Sequence, residues 1–161
     1  MMSLARRKLG INVTISDSWW NLFILAGWAL LIFMAVISES TPASVWPDVR
    51  SVEVENTTAG VTPEMHVDRT IKSEFAATWL VEVEKDFGSG FGVYCSAKGE
   101  SAYRTDAALP HPLTLDWWTY PTKCDLPTGR YRVETTWRID VPFVPEKIVR
   151  VLSNVFTVSA E

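Results

Sequence analysis

The clearest pattern in the chain is an uninterrupted apolar stretch near its beginning. From Trp19 to Ile37 it runs for nineteen residues without a charged side chain. Because a helix rises about 1.5 Å per residue, this stretch comes close to the ~30 Å of a bilayer's hydrocarbon core. Indole rings favour the membrane interface, so Trp19, Trp20 and Trp28, with Trp46 just beyond the far end, are candidate anchors. The pattern predicts one transmembrane helix over residues 19–37.

The charges that flank this stretch are unequal. Arg6, Arg7 and Lys8 precede it, whereas Glu39 and Asp48 follow it. Under the positive-inside rule the basic side stays in the cytoplasm. We therefore expect a cytoplasmic basic tail over residues 1–18 and an extracytoplasmic C-terminal part. A cleaved signal peptide is the alternative, although its apolar region is usually only ~7–15 residues long.

Beyond the apolar stretch the pattern changes. Residues 38–49 hold two prolines and several small polar residues, which is typical of a short tether. Over residues 50–161 apolar and polar positions alternate with period two, as in half-buried strands. In residues 130–140 the inward set would be Tyr131, Val133, Thr135, Trp137 and Ile139.

Further strands and turns follow from the same pattern. Residues 77–84 and 113–117 also alternate, and weaker strand candidates lie at 51–55, 65–72, 92–96 and 147–158, the last with a break or bulge near Ser153 and Asn154. Turn signals are Asp86–Gly90, Lys98-Gly99 and Pro127–Gly129. About seven strands with no amphipathic helix between them predict a mainly β fold, an antiparallel β-sandwich after one transmembrane helix.

One short segment carries a more specific signal. Pro127, Gly129, Tyr131 and Val133 form a Pro-x-Gly-x-Tyr-x-Val pattern. It resembles the entry to the penultimate strand of immunoglobulin-like domains, where the tyrosine hydroxyl closes a tyrosine corner. The resemblance implies that role for Tyr131 and an immunoglobulin-like sandwich. The cysteines depart from the antibody pattern, so any disulfide would not be the usual bridge between sheets.

The whole arrangement also resembles small membrane-anchored proteins of phages and prophages. The similarity rests on a basic tail, one span and an outer domain with a recurring set of residues: Leu113, Leu115, Trp117, Trp118, Cys124, Gly129, Tyr131 and Ser153 to Phe156. Such proteins mostly have no assigned activity. The resemblance implies the bacterial inner membrane, with the C-terminal domain in the periplasm.

Composition narrows the class of protein. The chain has 161 residues, 47% of them hydrophobic, and a net charge of -4. Of its 15 basic and 19 acidic side chains, 12 and 18 follow the apolar stretch, so the outer part carries -6. This apolar content argues against a disordered chain, and the acidic balance argues against nucleic acid as a partner.

Cys95 and Cys124 are the only cysteines, and an extracytoplasmic domain would allow them to bond. A structural disulfide is favoured over free thiols. A redox role is less favoured because the spacing is not Cys-x-x-Cys.

The titratable side chains form no recognisable catalytic or metal-binding pattern. His66 should face solvent between Met65 and Val67, and His111 lies between two prolines. Met65 and His66 have a faint likeness to copper-carrier chemistry, which leaves a periplasmic metal-handling domain as one alternative function. Gly88 to Gly92 is neither a nucleophile elbow nor a dinucleotide fingerprint. We expect no enzyme, no cofactor and no bound metal.

The aromatic side chains suggest a binding role instead. If Trp117 lies in the core, alternation puts Trp118 outside, beside Tyr120, and exposed aromatics often dominate interfaces. Trp118 and Tyr120 are thus the predicted contact residues of a binding or scaffolding protein. Its partner would be a protein or an envelope polymer. An accessory role of phage type in the host envelope, in lysis or exclusion, is the other alternative.

Overall fold

The computed structural model describes residues 13–142 and 144–160, and the chain divides after Thr41 into two compact units. The first contains helix α1, Val13–Ser40. Within it, Trp19–Ser40 is long and apolar enough to cross a membrane, as a membrane anchor or a signal sequence would be. Arg6, Arg7 and Lys8 of the predicted basic tail lie outside the described residues.

Helix α1 runs past the predicted end at Ile37. The hydroxyls of Ser40 and Thr41 both donate to the carbonyl of Ile37, at 3.0 and 2.8 Å, and so satisfy a carbonyl at the helix end. Pro42 follows, and the residue before a proline avoids the helical conformation. These two features place the end of the helix at Ser40.

The predicted linker over residues 38–49 is wrong at both ends. Helix α1 covers its beginning, a 3-10 turn spans Ala43–Val45, and the first strand already begins at Pro47. Trp46, expected at the membrane interface, is only 7% exposed in the core of the second unit. A large indole ring is favoured both in a protein core and at a membrane interface. The local sequence around Trp46 therefore does not show which of the two environments it occupies.

The second unit is a mainly β domain of two sheets. The small sheet pairs β1, Pro47–Val54, with β3, Met65–Ile71. The strands of the large sheet are β2 Thr57–Thr58, β4 Phe75–Asp86, β5 Phe91–Tyr103, β6 Gly129–Val141, β7 Val144–Leu152 and β8 Phe156–Ser159. They lie in the order β2-β8-β6-β4-β5, with β7 also paired to β6. All pairs are antiparallel except β2 with β8, and both sheets contribute to one hydrophobic core.

The alternation predicted for the two central strands is confirmed. The inward set of β6 is buried from Tyr131 to Ile139. On β4, Ala77, Val81 and Val83 are buried and Trp79 is partly buried. One outward position of β6, Thr136, is also buried, between its pairing partners Leu80 and Arg150.

The predicted break near Ser153 and Asn154 is a bulge between two halves of one strand. Both β7 and β8 run antiparallel to the same edge of β6, with Glu134 opposite Leu152 and Tyr131 opposite Phe156. Residues 153–155 therefore lie opposite only two residues of β6, Arg132 and Val133. A bulge of this kind turns a side chain out of the ladder.

One predicted turn and one predicted strand are wrong. Lys98-Gly99 is not a turn but lies inside β5, where Gly99 pairs with Trp79. The predicted strand 113–117 is instead a short helix α2, Leu115–Trp118, preceded by an isolated bridge from Thr114 to Glu64. The alternation of buried Leu113 and Leu115 does not extend to Trp117, because the backbone turns helical there.

The predicted disulfide and the predicted tyrosine corner are both confirmed. The hydroxyl of Tyr131 donates to the carbonyl of Pro127 at 2.6 Å. Cys95 of β5 is bonded to Cys124, which lies between α2 and β6. The bond ties an edge strand to the long connection from β5 to β6.

Candidate ligand pocket

A cavity of about 550 Å³ opens against the inner face of the large sheet. Its volume is in the range of pockets that hold small molecules. Strands β3 to β6 and the connection after β5 all contribute to it. The lining residues are Arg69, Trp79, Val81, Ser101, Ala102, Tyr103, Ala107, Ala108, Trp117, Trp118, Tyr120, Thr135 and Trp137.

Arg69 is the one charged residue in this lining. It occupies an inward position of β3, in the same alternating set as buried Met65 and Ile71, whereas His66 and Asp68 face solvent. Burial lowers the pKa of its guanidinium, although the group stays charged at neutral pH because arginine is not deprotonated in proteins. The inward position 69 of β3, where the strand pattern predicts an apolar side chain, is therefore occupied by a positively charged one.

Aromatic rings lie close to this cation. The guanidinium carbon is 5.6 Å from the ring centroid of Tyr103 and 5.8 Å from that of Trp118. Both distances are within the ~6 Å at which a ring face attracts a cation. Among the described residues no carboxylate forms an ion pair with Arg69. The rings stabilise its charge without neutralising it.

Three indoles of the lining each donate to a hydroxyl. Trp79 bonds Ser101 at 3.1 Å, Trp118 bonds Thr135 at 2.9 Å, and Trp137 bonds Tyr103 at 3.0 Å. An indole N–H can only donate, so each hydroxyl oxygen is the acceptor and keeps its own proton for donation. Burial raises the pKa of Tyr103, which keeps that hydroxyl protonated. The hydroxyls and the guanidinium of Arg69 therefore present mainly hydrogen-bond donors to the pocket.

The predicted orientation of the two adjacent tryptophans is reversed. Trp118 is 7% exposed and belongs to the core, whereas Trp117 is 50% exposed. In helix α2 the residues Leu115 and Trp118 share one face, since positions three apart are neighbours on a helix. The assumption of a strand put Trp118 on the wrong side. Tyr120 is 72% exposed and lines the pocket with both tryptophans.

The segment that carries these aromatics is fixed from several sides. The buried hydroxyl of Thr119 donates to the carbonyl of Leu115 at 3.0 Å. Asp116 accepts from the hydroxyl of Thr62 at 3.0 Å. Next to the disulfide, the hydroxyl of Tyr94 donates to the carbonyl of Asp125 at 3.1 Å. This wall of the pocket is therefore held in place without a long regular element.

The fold brings the two histidines to one surface depression, which sequence reasoning did not anticipate. His66 and His111 line it with Glu53 and Glu64. His66 is exposed as predicted, and its Nε2 lies 2.8 Å from Oε1 of Glu55. The described residues contain no group of three or more histidine, cysteine or acidic side chains placed to hold a metal ion.

Arg69 is the site residue that the sequence reasoning did not name. A signal for it was present, because Met65, Val67 and Ile71 alternate as an inward set and Arg69 falls in the same register. An arginine in an otherwise apolar set breaks the pattern. What the pattern could not supply was the identity of the rings around it.

No protein-family model matches this chain, and neither a curated protein nor a solved structure is significantly similar to it. The resemblances to immunoglobulin-like domains and to phage envelope proteins therefore stay predictions.

Proposed function

We propose that this chain is a single-pass, membrane-anchored binding protein. Helix α1 holds it in the membrane with the basic tail in the cytoplasm, and the β domain takes up its ligand on the opposite side. The observation that carries the proposal is the aromatic pocket around Arg69, with its donor hydroxyls.

Two features support the membrane side of the proposal. The apolar part of α1 exceeds the usual length of a signal-peptide core, which favours a retained anchor. The bond between Cys95 and Cys124 fits an oxidising compartment, because cytosolic thiols are kept reduced. The predicted inner-membrane location with a periplasmic domain agrees with both.

The pocket favours ligand uptake over a purely scaffolding role. A scaffold needs only a complementary surface, whereas here a half-buried cation and three indole-hydroxyl pairs surround an open volume. Such convergence of a few polar groups in an apolar cavity is typical of small-molecule sites. Trp117 and Tyr120 at the opening would then contact the ligand, and the prediction of Tyr120 as a contact residue is kept.

A ligand-observed NMR screen of the full-length chain in zwitterionic nanodiscs tests this function. The library holds neutral, cationic and anionic fragments. Ala108→Trp fills the pocket from its exposed wall, and Ala160→Trp is the matched control because Ala160 does not line the pocket. We expect fragment binding that Ala108→Trp abolishes and Ala160→Trp preserves. Absence of binding, or equal binding by both variants, contradicts the proposal.

A further inference from the structure

We propose that the ligand of this pocket carries a carboxylate that Arg69 binds, joined to an apolar or aromatic body that packs among the indoles. This inference rests on the proposed function and adds to it the chemical class of the ligand. It follows from the charge of the pocket, the geometry of its cation and the nature of its walls.

The charge of Arg69 calls for a counter-ion. Moving a cation out of water without an opposite charge nearby costs free energy, and ring faces offset only part of that cost. No carboxylate of the described residues pairs with Arg69, although other arginines of the domain have such partners, for example Arg50 with Asp68 and Arg132 with Glu84. An anionic ligand would complete the site, and a guanidinium can bind a carboxylate through two parallel hydrogen bonds.

A carboxylate fits this pocket better than a phosphate ester or a polyanion. Arg69 supplies the one formal charge of the lining, so a monoanion is matched and a dianion leaves one charge uncompensated in an apolar cavity. The 18 acidic against 12 basic side chains beyond the span add a repulsion that grows with the charge of the ligand.

The walls determine the rest of the ligand. Next to Arg69, the hydroxyls of Tyr103 and Ser101 accept from their indole partners and share a hydrogen bond with each other, which leaves one of their two protons to donate to an oxygen atom of the ligand. The remaining surface is indole, tyrosine ring, alanine and valine, which favours a ring or an aliphatic body. The volume of about 550 Å³ suits a free organic acid or the C-terminal residue of a polypeptide.

Isothermal titration of the full-length chain in zwitterionic nanodiscs tests the inference with two matched pairs of probes. The first pair is N-acetyl-phenylalanine and its amide, and the second is N-acetyl-Ala-Ala-Phe as the free acid and as the C-terminal amide. Each amide keeps the shape and removes the charge. We expect each acid to bind at least about tenfold more tightly than its amide, as charge-assisted hydrogen bonds to one group provide.

Variants locate the effect at Arg69. Arg69→Gln should weaken binding of the acids about tenfold or more and remove the preference over the amides. Arg138→Gln is the matched control, because Arg138 is exposed on the outward face of β6 and does not line the pocket. It should bind as the unmodified chain does. If Arg69→Gln does not fold, Arg69→Lys replaces it and should prefer the acids while binding them more weakly than the unmodified chain.

The two pairs also separate the sources of the carboxylate. Tighter binding of the tripeptide acid supports a polypeptide C-terminus, and tighter binding of N-acetyl-phenylalanine supports a free small acid. The inference is overturned if acids and amides bind with equal affinity or if no probe binds. It is also overturned if Arg69→Gln keeps the preference for acids, or if Arg69→Lys binds the acids as tightly as the unmodified chain does. Fragment binding that Ala108→Trp abolishes would still support the proposed function in that event, so the two failures are distinguishable.

Discussion

Trp79 and Gly99 face each other across β4 and β5, and the indole occupies the space next to the glycine. A Cβ atom at position 99 would lie 2.6 Å from Cζ2 and 2.9 Å from Cε2 of Trp79. The same indole donates to Ser101 at the pocket wall. Gly99 is thus required by a close contact inside a strand, where a glycine is otherwise unfavourable.

Replacing this glycine should destabilise the domain. We expect Gly99→Ala to lower the free energy of unfolding by about 1–3 kcal/mol, because the ring must move within a packed core. Gly92→Ala on the same strand is the control, since its Cβ would meet only the exposed ring of Phe87, at 3.2 Å. Thermal unfolding of the full-length chain in detergent micelles gives the comparison. Equal stability of the two variants would contradict the steric explanation.

His66 shows the effect of one exposed carboxylate. Its pKa is raised from the ordinary value of 6.5, first by the hydrogen bond to Glu55 and to a lesser degree by the charges of Glu64 and Glu53. The raised pKa means that the pair stabilises the fold fully below pH 6.5. That contribution disappears as the pH rises through the pKa of the folded state.

A carboxylate substitution should reveal the partner of His66. In Glu55→Gln the pKa of His66 should fall back towards 6.5, whereas Glu53→Gln should lower it less because that charge is the weakest of the contributions. An NMR titration of the imidazole Cε1 proton measures both. The explanation fails if the two variants lower the pKa by the same amount.

The bulge between β7 and β8 joins the two sheets. Asn154 accepts a hydrogen bond from the backbone N–H of Val54 at 2.7 Å and donates to its carbonyl at 3.0 Å. Its side chain thereby pairs with the end of β1 as a neighbouring strand would. Ser153 fills the adjacent gap by accepting from the N–H of Val133 at 2.8 Å.

Loss of this connection should loosen one sheet more than the other. Asn154→Ala should lower the free energy of unfolding by about 1–3 kcal/mol, because two partly buried hydrogen bonds are lost. Asn56→Ala is the control, as Asn56 accepts one exposed bond from Thr157. Hydrogen exchange should be faster at Val54 in Asn154→Ala than in the control. Unchanged exchange there would show that the contact does not hold β1.

The disulfide acts on the connection that forms a pocket wall. Cys95 and Cys124 are 29 residues apart, for which the chain-entropy model gives about 3–4 kcal/mol of stabilisation. The enclosed segment includes Trp117 and Trp118, so its order matters for the pocket.

Removing both cysteines tests this role. In the variant C95S/C124S the free energy of unfolding should be lower by about 3–4 kcal/mol. Each single variant should show a similar decrease, because the same bond is lost in all three variants. Urea unfolding of the full-length chain measures it. A single variant as stable as the unmodified chain would mean that the bond does not constrain the unfolded state.

The apolar helix and the disulfide both bear on the proposed location of the protein, and one pair of substitutions tests them together. Two arginines in the centre of the span, L25R/L30R, should cost about 5–7 kcal/mol of insertion free energy. If α1 is the proposed anchor, the variant should leave the carbonate-resistant membrane fraction and its cysteines should become reactive towards maleimide, because the domain would then no longer reach an oxidising compartment.

The apolar pair L25F/L30F is the control and should stay in the membrane with its cysteines bonded. A charged variant that also remains membrane-bound and oxidised would contradict the assignment of residues 19–40 as the anchor.

Several features of this protein were determined by local sequence alone. The long apolar helix follows from a charge-free stretch, the central strands follow from period-two alternation, and the tyrosine corner follows from the spacing of Pro127, Gly129 and Tyr131. Each is a property of residues close in the chain, whose preferences reinforce one another.

The pocket depends on contacts between elements that lie far apart in the chain. Arg69 meets Tyr103 and Trp118 because β3, β5 and α2 are brought together over long separations in sequence, which no local period encodes. The reversed orientation of Trp117 and Trp118 has the same cause, since one helical turn forms there against the core. Sequence patterns fix which face of an element is apolar, and the packing of elements fixes which side chains meet.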